Sequence, residues 1–382
     1  MRKKFTDCVD IVGKSCENFE GTKFYISTGA VDEDDINEYG IETINFEEKP
    51  SRANLIVKSD DIIFAKMQAT KKTLLINEEF AEYVYSTGFC AVHAKKNILT
   101  RDCLLYLLMS EAFLNQKDKN CSGATQKAIT NAGLQKIIVN IPDYKLQDDI
   151  SKKLSILLKV ISMRQNELDM LEDLIKARFV EMFGDPRSNP FGFEKMILKD
   201  TCKIITGNTP SRAIDEYYGE FIEWIKTDNI VSGLLYPTKA IEGLSEKGVK
   251  IGRTVDKDSI LMACIAGSIA SIGRVCITDR RVAFNQQINA IIPQKYNIHF
   301  LYVLLQISKD YLVEDINMAL KGILSKSKLE EKEFVVPPKE LQEQFADFVN
   351  QVNKSKVVYM YILKIRKYLM YNSKYREKVN CI

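Results

Sequence analysis

The 382-residue chain has 18 glycines but no Gly-x-Gly, which excludes the glycine pattern that cradles a dinucleotide or a methyl donor. Histidine is nearly missing: only His93 and His299 occur, and nine scattered cysteines include no Cys-x-x-Cys, so a zinc site has little to build on. That odd, unpaired cysteine set, with a start (1–7) that lacks an apolar signal core, fits a reduced cytoplasm. Long apolar runs are lacking too. The longest, such as 103–109, fall far short of the ~20 residues a membrane span needs, so no membrane association is expected. Nor is there an excess of one charge. With 54 Lys and Arg against 51 Asp and Glu the net charge is +3, so an anionic partner has to be met by local patches. One stretch, 353–382, is lopsided, with eight basic residues and the single acid Glu377; it reads as a solvated helix face or as a nucleic-acid contact.

Several local patterns imitate chemistry without completing it. Gly13-Lys14-Ser15 looks like the end of a P-loop, but the first glycine of that motif would fall on Cys8. Asn189-Pro190-Phe191 lacks the second proline of an amino-methyltransferase motif and reads as a turn. The only Pro-Asp, Pro142-Asp143, is not followed by the acid-x-Lys of a nuclease centre. No catalytic residue and no metal ligand set is assigned.

What is present is a repetition. Shifted by 195 residues, 124–175 falls on 319–370 without a gap: Leu134 meets Leu329, Pro142 meets Pro337, and Leu146-Gln147 meets Leu341-Gln342. Offsets of 194 to 199 also pair Cys8-Val9-Asp10-Ile11-Val12-Gly13 with Cys202-Lys203-Ile204-Ile205-Thr206-Gly207, and Tyr106-Leu107-Leu108 with Tyr302-Val303-Leu304. A period this long is a whole domain plus its connector, used twice. Length alone predicts two or three domains, and 46% hydrophobic residues supply a core for each. Each half opens with about 140 residues of mixed α/β character: strand-like runs 55–57, 61–65, 135–141, 221–225, 259–263 and 288–292, and helical stretches 102–113 and 299–312.

After each globular segment a proline leads into a long helix, a position where its missing N–H costs nothing. The first helix carries a seam of Ile150, Leu154, Leu157, Ile161, Arg164, Leu168, Leu171, Ile175, Arg178 and Met182, with the alternating four-three spacing of a coiled coil. Its repeat is Phe345, Val349, Val352, Lys356, Tyr359, Leu363, Arg366, Met370 and Ser373. Extra apolar residues, among them Phe179 and Phe183, flank the first seam, so that helix touches more than one neighbour. The simplest arrangement pairs the two helices, antiparallel if the halves obey a pseudo-twofold; the alternative packs each helix on its own domain. Residues 146–183 would form a rod of roughly 57 Å at 1.5 Å per residue, against roughly 34–36 Å for one turn of B-DNA.

This order of parts resembles the specificity subunit of type I restriction–modification systems, over essentially the whole chain. In the second half the resemblance is carried by Leu198-Lys199-Asp200, Thr206-Gly207-Asn208-Thr209-Pro210-Ser211, Trp224-Ile225-Lys226-Thr227-Asp228-Asn229-Ile230, Gly267-Ser268, Ile272-Gly273-Arg274-Val275, Phe284-Asn285-Gln286-Gln287-Ile288 and 329–342. In the first half it lies in 123–147 and in Phe179-Val180-Glu181-Met182-Phe183-Gly184-Asp185-Pro186. The first domain departs from the pattern, with Gly13-Lys14-Ser15-Cys16 where Gly207-Asn208-Thr209-Pro210 is expected. The resemblance implies an α/β (α+β) fold with two similar target recognition domains, 1–142 and 185–337, and two long helices, 143–184 and 338–382, forming an antiparallel coiled coil. It further implies a non-catalytic subunit that reads a bipartite double-stranded DNA target. Two modification (methyltransferase) subunits would dock on the helices and restriction motor subunits would join them. The methyl donor and ATP would be held by those partners, with no cofactor on this chain.

Base edges are read by forked side chains, and phosphates by Lys, Arg, Ser, Thr and backbone amides. Candidate DNA contacts are therefore Lys66, Gln68, Thr70, Lys71 and Lys72 in the first domain, and Thr209, Ser211, Lys226, Thr227, Ser268, Arg274, Asn285, Gln286 and Gln287 in the second. Each has a plainer reading as a solvated loop residue; Thr209-Pro210-Ser211 also reads as a rigid turn, and Trp224 as core rather than as a stacking platform. The competing function is a coiled-coil assembly scaffold without DNA specificity; a self-contained nuclease or methyltransferase is disfavoured by the missing motifs.

Overall fold

The computed structural model describes residues 1–124, 126–314, 316 and 322–371, with side chains given as far as Lys356. They fall into two compact units: Met1–Met163 with 362–371, and Arg164–Tyr361. Both boundaries lie inside long helices, Tyr144–Phe183 and Lys339–Tyr371.

The first unit centres on a four-stranded antiparallel sheet in the order Val9–Val12, Phe89–Ala94, Ile62–Ala65, Thr73–Leu75. A second sheet has the order Ile41–Ile44, Lys23–Ile26, Val84–Ser86, Ala53–Leu55, and its two middle strands run parallel. The second unit repeats both patterns. Its central sheet runs Cys202–Thr206, Ile288–Pro293, Ile260–Ala263, Val275–Ile277. Its second sheet runs Gly243–Leu244, Tyr218–Ile225, Val282–Phe284, Thr254–Val255, with the parallel pair again in the middle. Short two-stranded ribbons, Arg2–Lys4 with Ile138–Asn140 and Lys195–Ile197 with Glu333–Val335, close each domain.

Strand composition follows from burial on both faces, which removes the usual apolar–polar alternation. Ile62 and Phe64 face a helix-side core with Phe5, Leu104 and Phe113, whereas Ile63 and Ala65 face the second sheet with Ile26 and Tyr85. Ile260 and Met262 join Phe300 and Leu304, whereas Leu261 and Ala263 join Ile225 and Phe284. The covering helices Arg101–Met109 and Ile298–Ile307 are capped by Thr100 and Asn297, whose side chains accept from the Cys103 and His299 amides.

Strand register corrects one sequence pairing. Val12 lies opposite Ala91 and Ile205 opposite Ala290, so the first strands correspond at an offset of 193 and Gly13 is not the counterpart of Gly207. The two glycines answer different demands. Gly13 has φ +99°, a conformation that strains any Cβ; at Gly207 a Cβ would lie 2.1 Å from the Asn285 carbonyl oxygen.

Within the second unit the long helices pack antiparallel. The Phe183 and Phe179 rings meet Phe345 at 5.6 and 5.4 Å, Arg178 lies over Phe348, and Glu172 pairs with Lys356 at 3.6 Å. Moving down one helix thus means moving up the other. Phe345, Val349 and Val352 are buried as the repeat predicts. On the first helix the buried line is Ile175, Phe179, Phe183, in steps of four, with Leu168 and Leu171 at its edge. The two phenylalanines, expected to flank the seam, are its centre, because Phe300 of the second domain meets Phe183 edge-on at 4.8 Å and stacks on Phe179 at 5.4 Å, which widens the stripe. In the first unit Ile161 is buried and Ile150 half-buried, while Leu154 and Leu157 are exposed. The side chains of Tyr359, Leu363 and Met370 lie outside the described residues.

Candidate nucleic-acid interface

In the second unit four strands end at one rim. The Asn285 amide bonds the Ile225 carbonyl at 3.0 Å, Gly207 bonds Ile288 at 3.0 Å, and Cys264 bonds Gln287 at 2.8 Å, so the segments that follow the strands are neighbours. This gathers Thr209, Lys226, Thr227, Arg274, Asn285, Gln286 and Gln287, which are far apart in sequence. The Thr209 hydroxyl donates to the Gln286 side-chain oxygen. Asn285 is buried; its amide donates to Gln287 Oε1 at 3.1 Å and its oxygen accepts from the Gln287 N–H. Arg274 donates to the Ser271 carbonyl at 3.2 Å and the Thr227 carbonyl at 3.5 Å, and Ser268 donates to Ser271 Oγ at 3.1 Å. Ser211 is exposed in the loop beyond Pro210.

Electrostatics at this rim centre on Glu242, which sequence reading did not single out. It accepts from Lys226 at 2.5 Å and Arg212 at 2.6 Å, and these two cations hold its carboxyl below the ordinary range. The Arg212 guanidinium also lies 4.5 Å from the Tyr218 ring and 5.1 Å from Trp224. Trp224 itself is buried and donates to the Asn208 carbonyl at 3.3 Å, so it is a floor beneath the cations.

The first unit builds its rim differently from the same strands. Lys66 through Lys72 follow the strand Ile62–Ala65, with Gln68 and Lys71 exposed. The Thr70 hydroxyl turns inward to the Met67 carbonyl at 2.5 Å, and Lys72 donates to the Thr28 carbonyl at 2.7 Å. Under the loop lies Lys117, fully buried, which donates to Met67 O at 2.9 Å and Thr70 O at 2.8 Å. Burial disfavours its ammonium form and lowers its pKa. Sequence reading missed Lys117, although it lies one turn from the buried Phe113 on the same helix face.

The rims correspond residue by residue. The Ala65 amide bonds the Lys72 carbonyl as the Ala263 amide bonds that of Arg274; Ile26 and Ile225 hold the same place beside the parallel strand. Lys72 with Thr28 therefore stands where Arg274 with Thr227 stands, and Ser86-Thr87-Gly88 where Asn285-Gln286-Gln287 stands. Among the described residues no group of His, Cys, Asp or Glu is placed to hold a metal, and no helix is long and apolar enough to cross a membrane.

The sequence pattern of the type I restriction modification DNA specificity domain matches residues 8–173 and again 190–357, one copy for each repeat. The chain belongs to the type I restriction–modification DNA specificity family. It is a specificity protein with two target recognition domains. Among its relatives, the type I restriction enzyme HindI specificity subunit of Haemophilus influenzae is 23% identical over 342 residues, covering 69% of this chain and 73% of the relative. The MjaIX specificity subunit of Methanocaldococcus jannaschii is 30% identical over 155 residues, 39% of this chain and 35% of that one. The fold is shared with the type I restriction–modification system S subunit from M. genitalium, whose crystal structure matches with a TM-score of 0.57 at 13% identity over 97% of this chain and 94% of the other. A chain from a type I R-M complex structure matches with a TM-score of 0.52 at 18% identity, again over 97% and 94%.

Proposed function

We propose that each recognition domain of this specificity protein, 1–142 and 185–337, reads one half of a bipartite, asymmetric DNA target with its strand-end rim. The observation that carries this is one rim built twice from equivalent positions with different side chains. Ser86-Thr87-Gly88 in one domain faces the task that Asn285-Gln286-Gln287 has in the other. Asn and Gln pair with adenine edges and Lys or Arg with guanine, so different side chains on one scaffold select different bases. In this reading Gln68, Lys71, Thr209, Lys226, Gln286 and Gln287 approach base edges, and Lys66, Ser211, Thr227 and Ser268 approach phosphates.

The long helices set the gap between half-sites and present the docking surface for two modification (methyltransferase) subunits, to which restriction motor subunits add. Exposed Leu146, Ile156, Val160 and Met163 on the first helix suit such docking, because a partner would take that apolar surface out of water. The chain itself makes and breaks no bond; methyl donor and ATP reside on the partners. Co-expression with a methyltransferase subunit, followed by mapping methylated adenines across the host genome, tests this. The expected result is one bipartite motif with a fixed gap. A stable complex without sequence preference would leave a coiled-coil scaffold instead.

A further inference from the structure

The recognition loops, 66–72 and 264–274, differ in length and sequence, yet both are held in the same way. In the first domain Lys72, at the loop's end, donates to the Thr28 carbonyl at 2.7 Å, and Lys117, from the helix Glu111–Lys119, donates to Met67 O, Thr70 O and, at 3.5 Å, Ala65 O. In the second domain Arg274, at the equivalent end, donates to the Thr227 and Ser271 carbonyls. Lys309, from the short helix Lys309–Val313 that follows the covering helix, donates to the Ala270 carbonyl at 2.7 Å. Two cations per loop, one from its own end and one from a helix beneath, thus grip main-chain oxygens.

We propose that Lys117 and Lys309, together with Lys72 and Arg274, are specificity-positioning residues that fix the shape of each recognition loop without touching a base. This rests on the bipartite-recognition reading. An ammonium buried without acceptors is costly, so Lys117 holds its carbonyls wherever the loop's side chains point. The neighbouring Asp118 adds to the grip: its carboxylate accepts the Ala69 amide at 3.1 Å, and Ala69 is in the left-handed region at φ +59°. Main-chain acceptors are present in every sequence. A clamp on them leaves the loop's outward side chains free to vary while its path is kept, which two domains with unlike half-sites require.

The test uses the intact methyltransferase complex carrying Lys117→Met or Lys309→Met. Methylation rates are measured on duplexes with the cognate target and with single mismatches in either half. Lys117→Met is expected to reduce discrimination by about tenfold in one half only, the scale of one mismatched pair, and Lys309→Met in the other half only. Lys309→Arg should restore it. If Lys117→Met fails to assemble, Lys309→Met decides, because its side chain is only half-buried. Unchanged discrimination in an assembled complex, or equal loss in both halves, would overturn the proposal. A wild-type complex with no bipartite target at all would instead overturn the reading on which it rests.

Discussion

Two buried glutamines do the same work in both halves. The Gln147 amide accepts from the Thr100 N–H at 2.8 Å and donates to the Ile98 and Pro142 carbonyls at 2.9 and 3.2 Å. Gln342 accepts from the Asn297 N–H and donates to the Pro337 carbonyl, both at 2.8 Å. Each glutamine ties the first turn of a long helix to the residue that caps the domain's covering helix. The repeated Leu-Gln is visible in sequence, but a polar residue in a helix's first turn reads as solvated until its acceptors are known. Replacing Gln147 with Ala would leave a buried amide and two carbonyls without partners. We expect a loss of about 2–3 kcal/mol, read as a lower denaturation midpoint with an unchanged m-value. The candidate contact residues show the same limit. Lys72 and Arg274 stand out as basic residues in loops, but only the fold reveals that their charges turn onto the Thr28 and Thr227 carbonyls.

At the scale of elements, the helix Tyr144–Phe183 runs for 40 residues, about 60 Å at 1.5 Å per residue. Its existence and its start after a proline are legible because apolar spacing over so many turns leaves no other regular structure. Its buried line is less legible. The heptad reading put Arg178 and Met182 on the seam, whereas the clustered Phe179, Phe183, Phe300 and Phe345 rings shift the burial by one position. A helix wedged between a partner helix and the second domain follows both, and a 3.5-residue seam describes only the first. If this element is the spacer, inserting seven residues between Leu157 and Leu168 adds about 10.5 Å and lengthens the unread gap by about three base pairs. Adenine-methylation mapping should return both half-sites unchanged; an unaltered gap would show that the helix does not set it.

For the whole molecule, the repeat organises both stability and specificity. Each domain has its own cores, among them one between its sheets and one beneath its helices, so each can change its surface without the other. Exchanging 1–142 for the corresponding segment of a relative should therefore change one half-site and preserve the second. Simultaneous change in both, mapped on the same host genome, would count against independent reading.

The sequence alone determined that a domain-plus-helix is used twice, because long gapless repetition and helical periodicity are local, additive signals. It also determined the family, through motifs in a fixed order. Tertiary structure decided which polar residues meet. Thr209 with Gln286, Lys226 and Arg212 with Glu242, and Lys117 with the Met67 and Thr70 carbonyls are separated by tens of residues and joined only by strand order and register. A strand's register decides which side chains share a rim, and a slip of one residue, as between Gly13 and Gly207, moves a side chain to the other face. That choice is made by packing two sheets and two helices against one another, and no single segment of the chain encodes it.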